Sequence, residues 1–263
     1  MPTATLLHRS STLAVLDVRC EPGPMPLSDL EVEPSFSVVL PRHGVYVQDV
    51  DGRSVVADPT AAMFLAKGQV HRTAHPTDDG DRNTDLAFAD EVAEPFTDRR
   101  GSFPARSRPI DIAAYLRHRR MLTAIRSGAT TALEIDEWAL GLVSDLLAMA
   151  VPDAGRPLVD DARAYLAASY HTDFDLREMA RAVGSSPHHL SRVFRRETGR
   201  TISGQRTELR LRRAIDLIAQ GADDLSRVAV DAGFYDHPHM TRTVRRHTGE
   251  TPDALRRILR LAS

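Results

Sequence analysis

The sequence predicts an α+β multidomain chain: a β-barrel or sandwich over residues 1–105, a helical connector over 106–155, and an all-α domain over 156–263. Three observations carry that prediction. Short β-rich runs punctuated by turn residues fill the first third. Apolar residues at helical spacing replace them after Pro109. The last hundred or so residues contain a segment that recurs at an interval of about 50. A chain of 263 residues accommodates two ordinary domains or one large one.

Residues 13–88 read as β structure. Residues 36–40 and 44–50 are β-rich runs, Asp51-Gly52 is a hairpin turn, and residues 54–57 supply the returning strand. Further turns fall at Asp58-Pro59 and Lys67-Gly68, and residues 75–85 read as a polar loop. Closely spaced strands of this kind suit a small sandwich or barrel.

The period changes after Pro109. Ile112, Tyr115 and Leu116 begin a helical stripe, and Gly128 interrupts it. Ile135, Trp138, Ala139, Leu142, Val143, Leu146, Leu147 and Ala150 then form a wider one. That second helix is too apolar to stand alone. It must pack against the β domain or against a second copy of the chain, and the latter choice makes the connector the dimerisation region of a homodimer. Residues 152–157, with Gly155, read as a linker.

A composition of 42% hydrophobic and 27% charged residues is that of an ordinary globular protein. Neither a long apolar span nor a signal-like start is legible, so the expectation is a cytoplasmic chain with no membrane partner. The lone Cys20 makes no internal disulfide. The net charge of -2 conceals a split. From Asp160 onward 18 Arg stand against 14 Asp and Glu, whereas the preceding residues are acidic overall. Arginine is the side chain suited to bidentate contact with phosphate and guanine.

The repeat is the most informative feature. Leu176, Met179, Ala180, Val183 and Gly184 recur 49 residues later as Leu225, Val228, Ala229, Ala232 and Gly233. With one residue inserted, His189, Arg192, Arg195, Arg196, Thr198, Gly199 and Thr201 recur as His239, Arg242, Arg245, Arg246, Thr248, Gly249 and Thr251. Each copy is a short helix, a glycine turn and a second helix ending in Arg-Arg, the pattern of a helix-turn-helix. Ser186 and Asp236 are the expected N-caps of the second helices. Leu190, Val193 and Phe194 face inward, which turns His188, Ser191, Arg192 and Arg195 outward. In copy two Met240 and Val244 face inward, with His237, Thr241, Arg242 and Arg245 outward. Residues 203–220 form a spacer helix of about 27 Å, close to the roughly 34 Å between successive major-groove faces.

At Val228-Ala229-Val230-Asp231-Ala232-Gly233-Phe234-Tyr235-Asp236, continuing through Arg242 to Thr248-Gly249-Glu250-Thr251-Pro252, the sequence resembles the AraC/XylS family of transcription regulators. Arg210-Leu211-Arg212-Arg213-Ala214 is similar to the family's central-helix motif. Met240 and Val244 depart from it, standing where the family usually has Phe, and both keep apolar character. The resemblance implies that His188, Ser191, Arg192, His237, Thr241 and Arg242 read bases, while Arg195, Arg196, Arg245 and Arg246 clamp phosphates. It implies double-stranded DNA as partner, with RNA polymerase and a small-molecule effector as further partners.

The first third resembles the cupin-like sensor domains of such regulators, on Gly44-Val45-Tyr46-Val47, Asp51-Gly52-Arg53 and Lys67-Gly68-Gln69 followed by His71 and His75-Pro76. His43, His71 and His75 raise a metal site, but an enzymatic cupin motif has His-x-His and a following Glu, and neither occurs here. The expectation is therefore no metal, no cofactor and no catalytic residue. Three classes remain: an effector-responsive regulator, which the sequence favours, an effector-independent DNA binder, and a cupin-type enzyme fused to a DNA-binding domain.

Overall fold

The computed structural model describes residues 3–21, 23, 26–50, 52–77, 79–149 and 157–260. Among these described residues ten strands form two antiparallel sheets. The strands are β1 (Thr3–Arg9), β2 (Leu13–Cys20), β3 (Glu31–Val32), β4 (Phe36–His43), β5 (Tyr46–Val50), β6 (Arg53–Ala57), β7 (Ala61–Leu65), β8 (Val70–Ala74), β9 (Asp81–Phe88) and β10 (Ser107–Pro109). The larger sheet runs β1-β2-β9-β4-β7-β10 and the smaller β3-β8-β5-β6. The hairpin expected at residues 51–52 joins β5 to β6, with Val50 opposite Arg53. Asp51 itself lies outside the described residues, as do residues 152–156 of the linker expected over 152–157, whose last residue, Pro157, begins a helix.

One sequence reading is corrected. The polar loop expected over residues 75–85 ends at residue 80, and Asp81 to Asp85 belong to β9, a central strand. The reason is the strand's period of two. Leu86 and Phe88 enter the core beneath the helices, and Thr84 meets His118 there. Asp81 and Asp85 face the other way, into the sandwich with Tyr46. A strand whose inner face is polar reads as loop.

Helices α1 (Asp90–Ala93), α2 (Ile112–Ser127) and α3 (Ala132–Ala148) follow, α1 continuing into a 3-10 turn, Glu94–Phe96. Asp111 caps α2, and a Thr131–Glu134 capping box starts α3. The wide stripe of α3 covers its own sheet: Ile135, Ala139, Leu142, Val143 and Leu146 share one core with Leu13, Val15, Val38, Leu40, Leu86 and Phe88. Of the two partners open to that stripe, the β domain takes its buried residues, with Trp138 and Leu147 partly buried beside them.

The remaining helices are α4 (Pro157–Ser169), α5 (Leu176–Ala182), α6 (Pro187–Thr198), α7 (Ile202–Ala219), α8 (Leu225–Asp231), α9 (His237–Thr248) and α10 (Pro252–Leu259). They form two cores, and α7 contributes to both. Leu209 joins Val159, Leu166, Met179, Leu190, Val193 and Phe194 in the first. Leu211, Ala214, Ile215 and Ile218 join Val228, Phe234, Met240, Val244, Leu255 and Leu259 in the second. Neither core is closed by these helices alone. Val45 and Val56 of the sandwich enter the first, and Tyr115 and Leu116 of α2 enter the second.

Candidate nucleic-acid interface

Each repeat folds as a helix, a turn and a helix, α5–α6 and α8–α9. The inserted residue sits in the turn, which has four residues in the first copy and five in the second. Ser186 accepts from the His189 amide at 3.3 Å, and Asp236 accepts from the His239 amide at 2.6 Å. Gly199 and Gly249 end the second helices at φ 70 and 77. The glycine of the second turn has two duties. Gly233 sits at φ +80, and a Cβ there would lie 2.7 Å from the Cα of His171. The turn therefore locks the second unit onto the end of α4. Gly184 has the same backbone sign but open space around it.

Leu190, Val193 and Phe194 on α6, and Met240 and Val244 on α9, are buried. Both apolar departures in the second copy are thus fully packed. Opposite them, His188, Ser191, Arg192, Arg195 and Arg196 are exposed on α6, and Arg242, Arg245 and Arg246 on α9. Among the described residues Arg192, Arg195, Arg242, Arg245 and Arg246 have no intramolecular partner. Arg196 differs: its guanidinium grips Glu197 at 2.6 and 2.9 Å. At the position equivalent to Glu197 the second copy has His247, so Arg246 stays open.

The two helices are not interchangeable at their starts. With the caps aligned, Pro187 corresponds to His237, and His188 to Pro238. His188 and His237 therefore occupy successive positions and not the same one. Ser191 is exposed, whereas its counterpart Thr241 is half-buried, with a buried hydroxyl that makes no hydrogen bond. Tyr235, in the second turn, is 90% exposed.

The spacer helix carries a face that apolar periodicity does not reveal. Gln205, Glu208, Arg212 and Asp216 recur every three or four residues and are all buried. This polar stripe docks α7 on the β half. Gln205 donates to Thr60 at 2.9 Å, and Arg212 donates to the carbonyls of Pro59 and Ile110 at 2.5 and 2.6 Å while paired with Glu208. The Arg212 guanidinium also lies 4.7 Å over the Tyr115 ring. Asp216 receives Arg82 of β9 at 2.9 Å and Arg119 of α2 at 3.1 Å. From α4, Arg163 reaches Asp58 at 2.9 Å. Two of the arginines in the central-helix motif, Arg212 and Arg213, thus serve this docking, and Arg210 holds the Tyr170 carbonyl.

The charges extend into the sheet. Arg42 pairs with Asp17, which Arg126 of α2 also reaches at 2.9 Å. Burial alone would raise the Asp17 carboxyl, but Arg42, Arg126 and Arg19 together hold it below its ordinary value. Burial, then the neighbouring Arg119, brings Arg42 down to about 10. Burial, then Arg213, brings His43 down to about 4. His118 is likewise neutral, through burial first and Arg119 second.

Residues 179–258 match the family described as a helix-turn-helix domain. This segment is a helix-turn-helix domain. It is 36% identical over 83 residues to the HTH-type transcriptional regulator GlxA of Rhizobium meliloti, a match covering 32% of this chain and 26% of that protein. The chain thus spans about a quarter of that relative's length. Among solved structures, a transcriptional regulator from Chromobacterium violaceum, described as AraC-type DNA-binding domain-containing, is 30% identical over 38% of this chain and 90% of its own, with a TM-score of 0.37. ToxT from Vibrio cholerae aligns over 96% of this chain and 100% of its own at 8% identity and a TM-score of 0.40. Among the described residues no helix is long and apolar enough to cross a membrane.

Proposed function

We propose that the chain is a sequence-specific, DNA-binding transcription regulator of the cytoplasm, with its β half as the regulatory input. The supporting observation is the pair of exposed arginine rows on two separately capped helices, unpartnered at Arg192, Arg195, Arg242, Arg245 and Arg246, since such rows have no packing role. Arg192 and Arg242, with His188, Ser191 and His237, read base edges; Arg195, Arg196, Arg245 and Arg246 hold phosphates. Thr241 reads bases only after its hydroxyl is uncovered. The regulator requires no enzymatic step of its own. The effector-responsive reading is kept ahead of the effector-independent one because the β half contacts α7, the helix shared by both helix-turn-helix cores.

The test is fluorescence anisotropy of the full chain with duplexes selected from genomic fragments. Four phosphate-clamping arginines give a slope of log affinity on log salt of about -3.6. Absence of salt-sensitive affinity for every duplex refutes the reading. Arg242→Ala should cost about 1 to 3 kcal/mol at the selected site and relax preference at one or two base pairs. Loss of affinity without loss of preference would remove Arg242 from the base-reading set.

A further inference from the structure

We propose that Cys20, His75 and Asp81 form a site for one divalent transition-metal ion, with Zn²⁺ the ion best suited to the donors. The site uses one of the three histidines whose sequence spacing argued against a metal and takes its other donors from different strands. Cys20 ends β2 and is paired directly across the ladder with Asp81, which begins β9. His75 follows β8 in the opposing sheet. One donor atom from each residue lies within 4.8 Å of the other two. A thiolate, an imidazole and a carboxylate are a donor set that zinc accepts.

The buried polar atoms point the same way. Nδ1 of His75 and Oδ2 of Asp81 face each other at 2.6 Å, on side chains 10% and 1% exposed. This is the distance of an ion pair, and neither atom has a hydrogen-bond partner besides. A cation that displaced this contact would find an imidazole nitrogen, a carboxylate oxygen and the Cys20 sulfur within 4.8 Å of one another. Tetrahedral coordination at zinc bond lengths would part them by about 0.7 Å. Oδ1 of Asp81 already accepts from the Asn83 amide at 2.5 Å, which orients the carboxylate and leaves Oδ2 for the ion. Coordination replaces the Cys20 thiol proton with the metal and releases that proton to solvent. The fourth position opens on the cavity that Cys20 and Asp81 help to line, where a water or an effector atom completes the shell.

The site does not depend on DNA binding and is tested without DNA. Full-length protein is stripped with a chelator and titrated with Zn²⁺ and with Co²⁺. The expected result is one equivalent bound, with a thiolate-to-cobalt charge-transfer band. Because the chain has a single cysteine, that band assigns Cys20. Zn²⁺ should also protect Cys20 from iodoacetamide. Cys20→Ser should abolish the band and weaken Zn²⁺ binding at least tenfold while keeping the native circular dichroism. Asn83→Ala, which touches no donor atom of the ion, should weaken binding about 10- to 100-fold. Absence of stoichiometric binding, or Zn²⁺ held equally tightly by Cys20→Ser, would overturn the proposal and leave the three residues as a polar cluster only.

Discussion

Asp216→Asn tests whether the polar stripe of α7 fastens the two halves together. Asp216 is 1% exposed and sits between Arg82 at 2.9 Å and Arg119 at 3.1 Å. At an effective dielectric of about 20, a pair of charges some 3 Å apart attracts with about 5 kcal/mol before desolvation is subtracted. Neutralising the shared carboxylate leaves Arg119, itself 2% exposed, as a buried cation with no counter-charge. The expected cost is about 3 to 5 kcal/mol, read from urea unfolding of the full chain at neutral pH. A double-mutant cycle with Arg119→Met should return a coupling of about 2 to 3 kcal/mol, and the cycle with Arg82→Met a smaller one. The difference follows from exposure: the Arg82 side chain keeps 21% of its surface in water. A loss below about 1 kcal/mol, or a coupling to Arg82 larger than that to Arg119, would refute the reasoning.

Three more expectations follow from particular contacts. Gly233→Ala should destabilise by about 2 to 4 kcal/mol, through both a left-handed backbone and collision with His171, whereas Gly184→Ala should cost about 1 to 2 from the backbone alone; thermal melts compare them. Arg246→Ala should lower the salt slope of DNA binding by about one unit and Arg196→Ala by less, because Glu197 competes for Arg196; salt titrations of the two variants decide it. Asp85 is raised to about 7, by burial first and Glu33 second, so between its unfolded value near 4 and pH 7 the folded state holds a proton that the unfolded state has lost. Its contribution to stability is present at acid pH and disappears as pH rises to 7, a fall of up to about 4 kcal/mol. Asp85→Asn should remove that part of the pH dependence, and an unchanged unfolding profile would place the Asp85 titration elsewhere.

The helical half was legible because its signals are local. Caps, C-terminal glycines and an apolar period of 3.6 lie within one element, and the spacer expected over residues 203–220 is observed as α7, Ile202–Ala219. The β half was less legible because strand partners are remote. Asp81 and Asp85 look like loop residues until β2, β4 and the opposing sheet surround them. The same limit hid the docking stripe. Gln205, Glu208, Arg212 and Asp216 look like a solvated face, and only Pro59, Thr60, Arg82, Ile110 and Arg119, all distant in sequence, make it an interface. On the candidate interface, the outward placement of Arg192, Arg195, Arg242 and Arg245 followed from helical spacing alone. The tethering of Arg196 required only its neighbour, Glu197, to be weighed. The covered hydroxyl of Thr241 had no sequence signal.

The chemistry of the docking face bears on how firmly the β half holds the helices. Where Leu209 of α7 shares a core with Val45 and Val56 of the sandwich, separation would expose apolar surface at about 25 cal/mol for each Å². Beside that core the contact is made by arginine, carboxylate, amide and carbonyl groups, and buried pairs of this kind gain little net over their hydration. This polar part fixes one orientation and can be exchanged for water at modest cost, while the apolar part opposes separation. The helix it fixes is shared, since Leu209 serves the first helix-turn-helix core while Leu211, Ala214, Ile215 and Ile218 serve the second. Release of α7 therefore acts on both units together. On the opposite side of the contact, Arg82 stands next in β9 to Asp81, with the pleat directing one to α7 and the other into the sandwich. Asp81 and Arg82 are thus adjacent in β9, one turned to the sandwich interior and the other to the spacer helix α7.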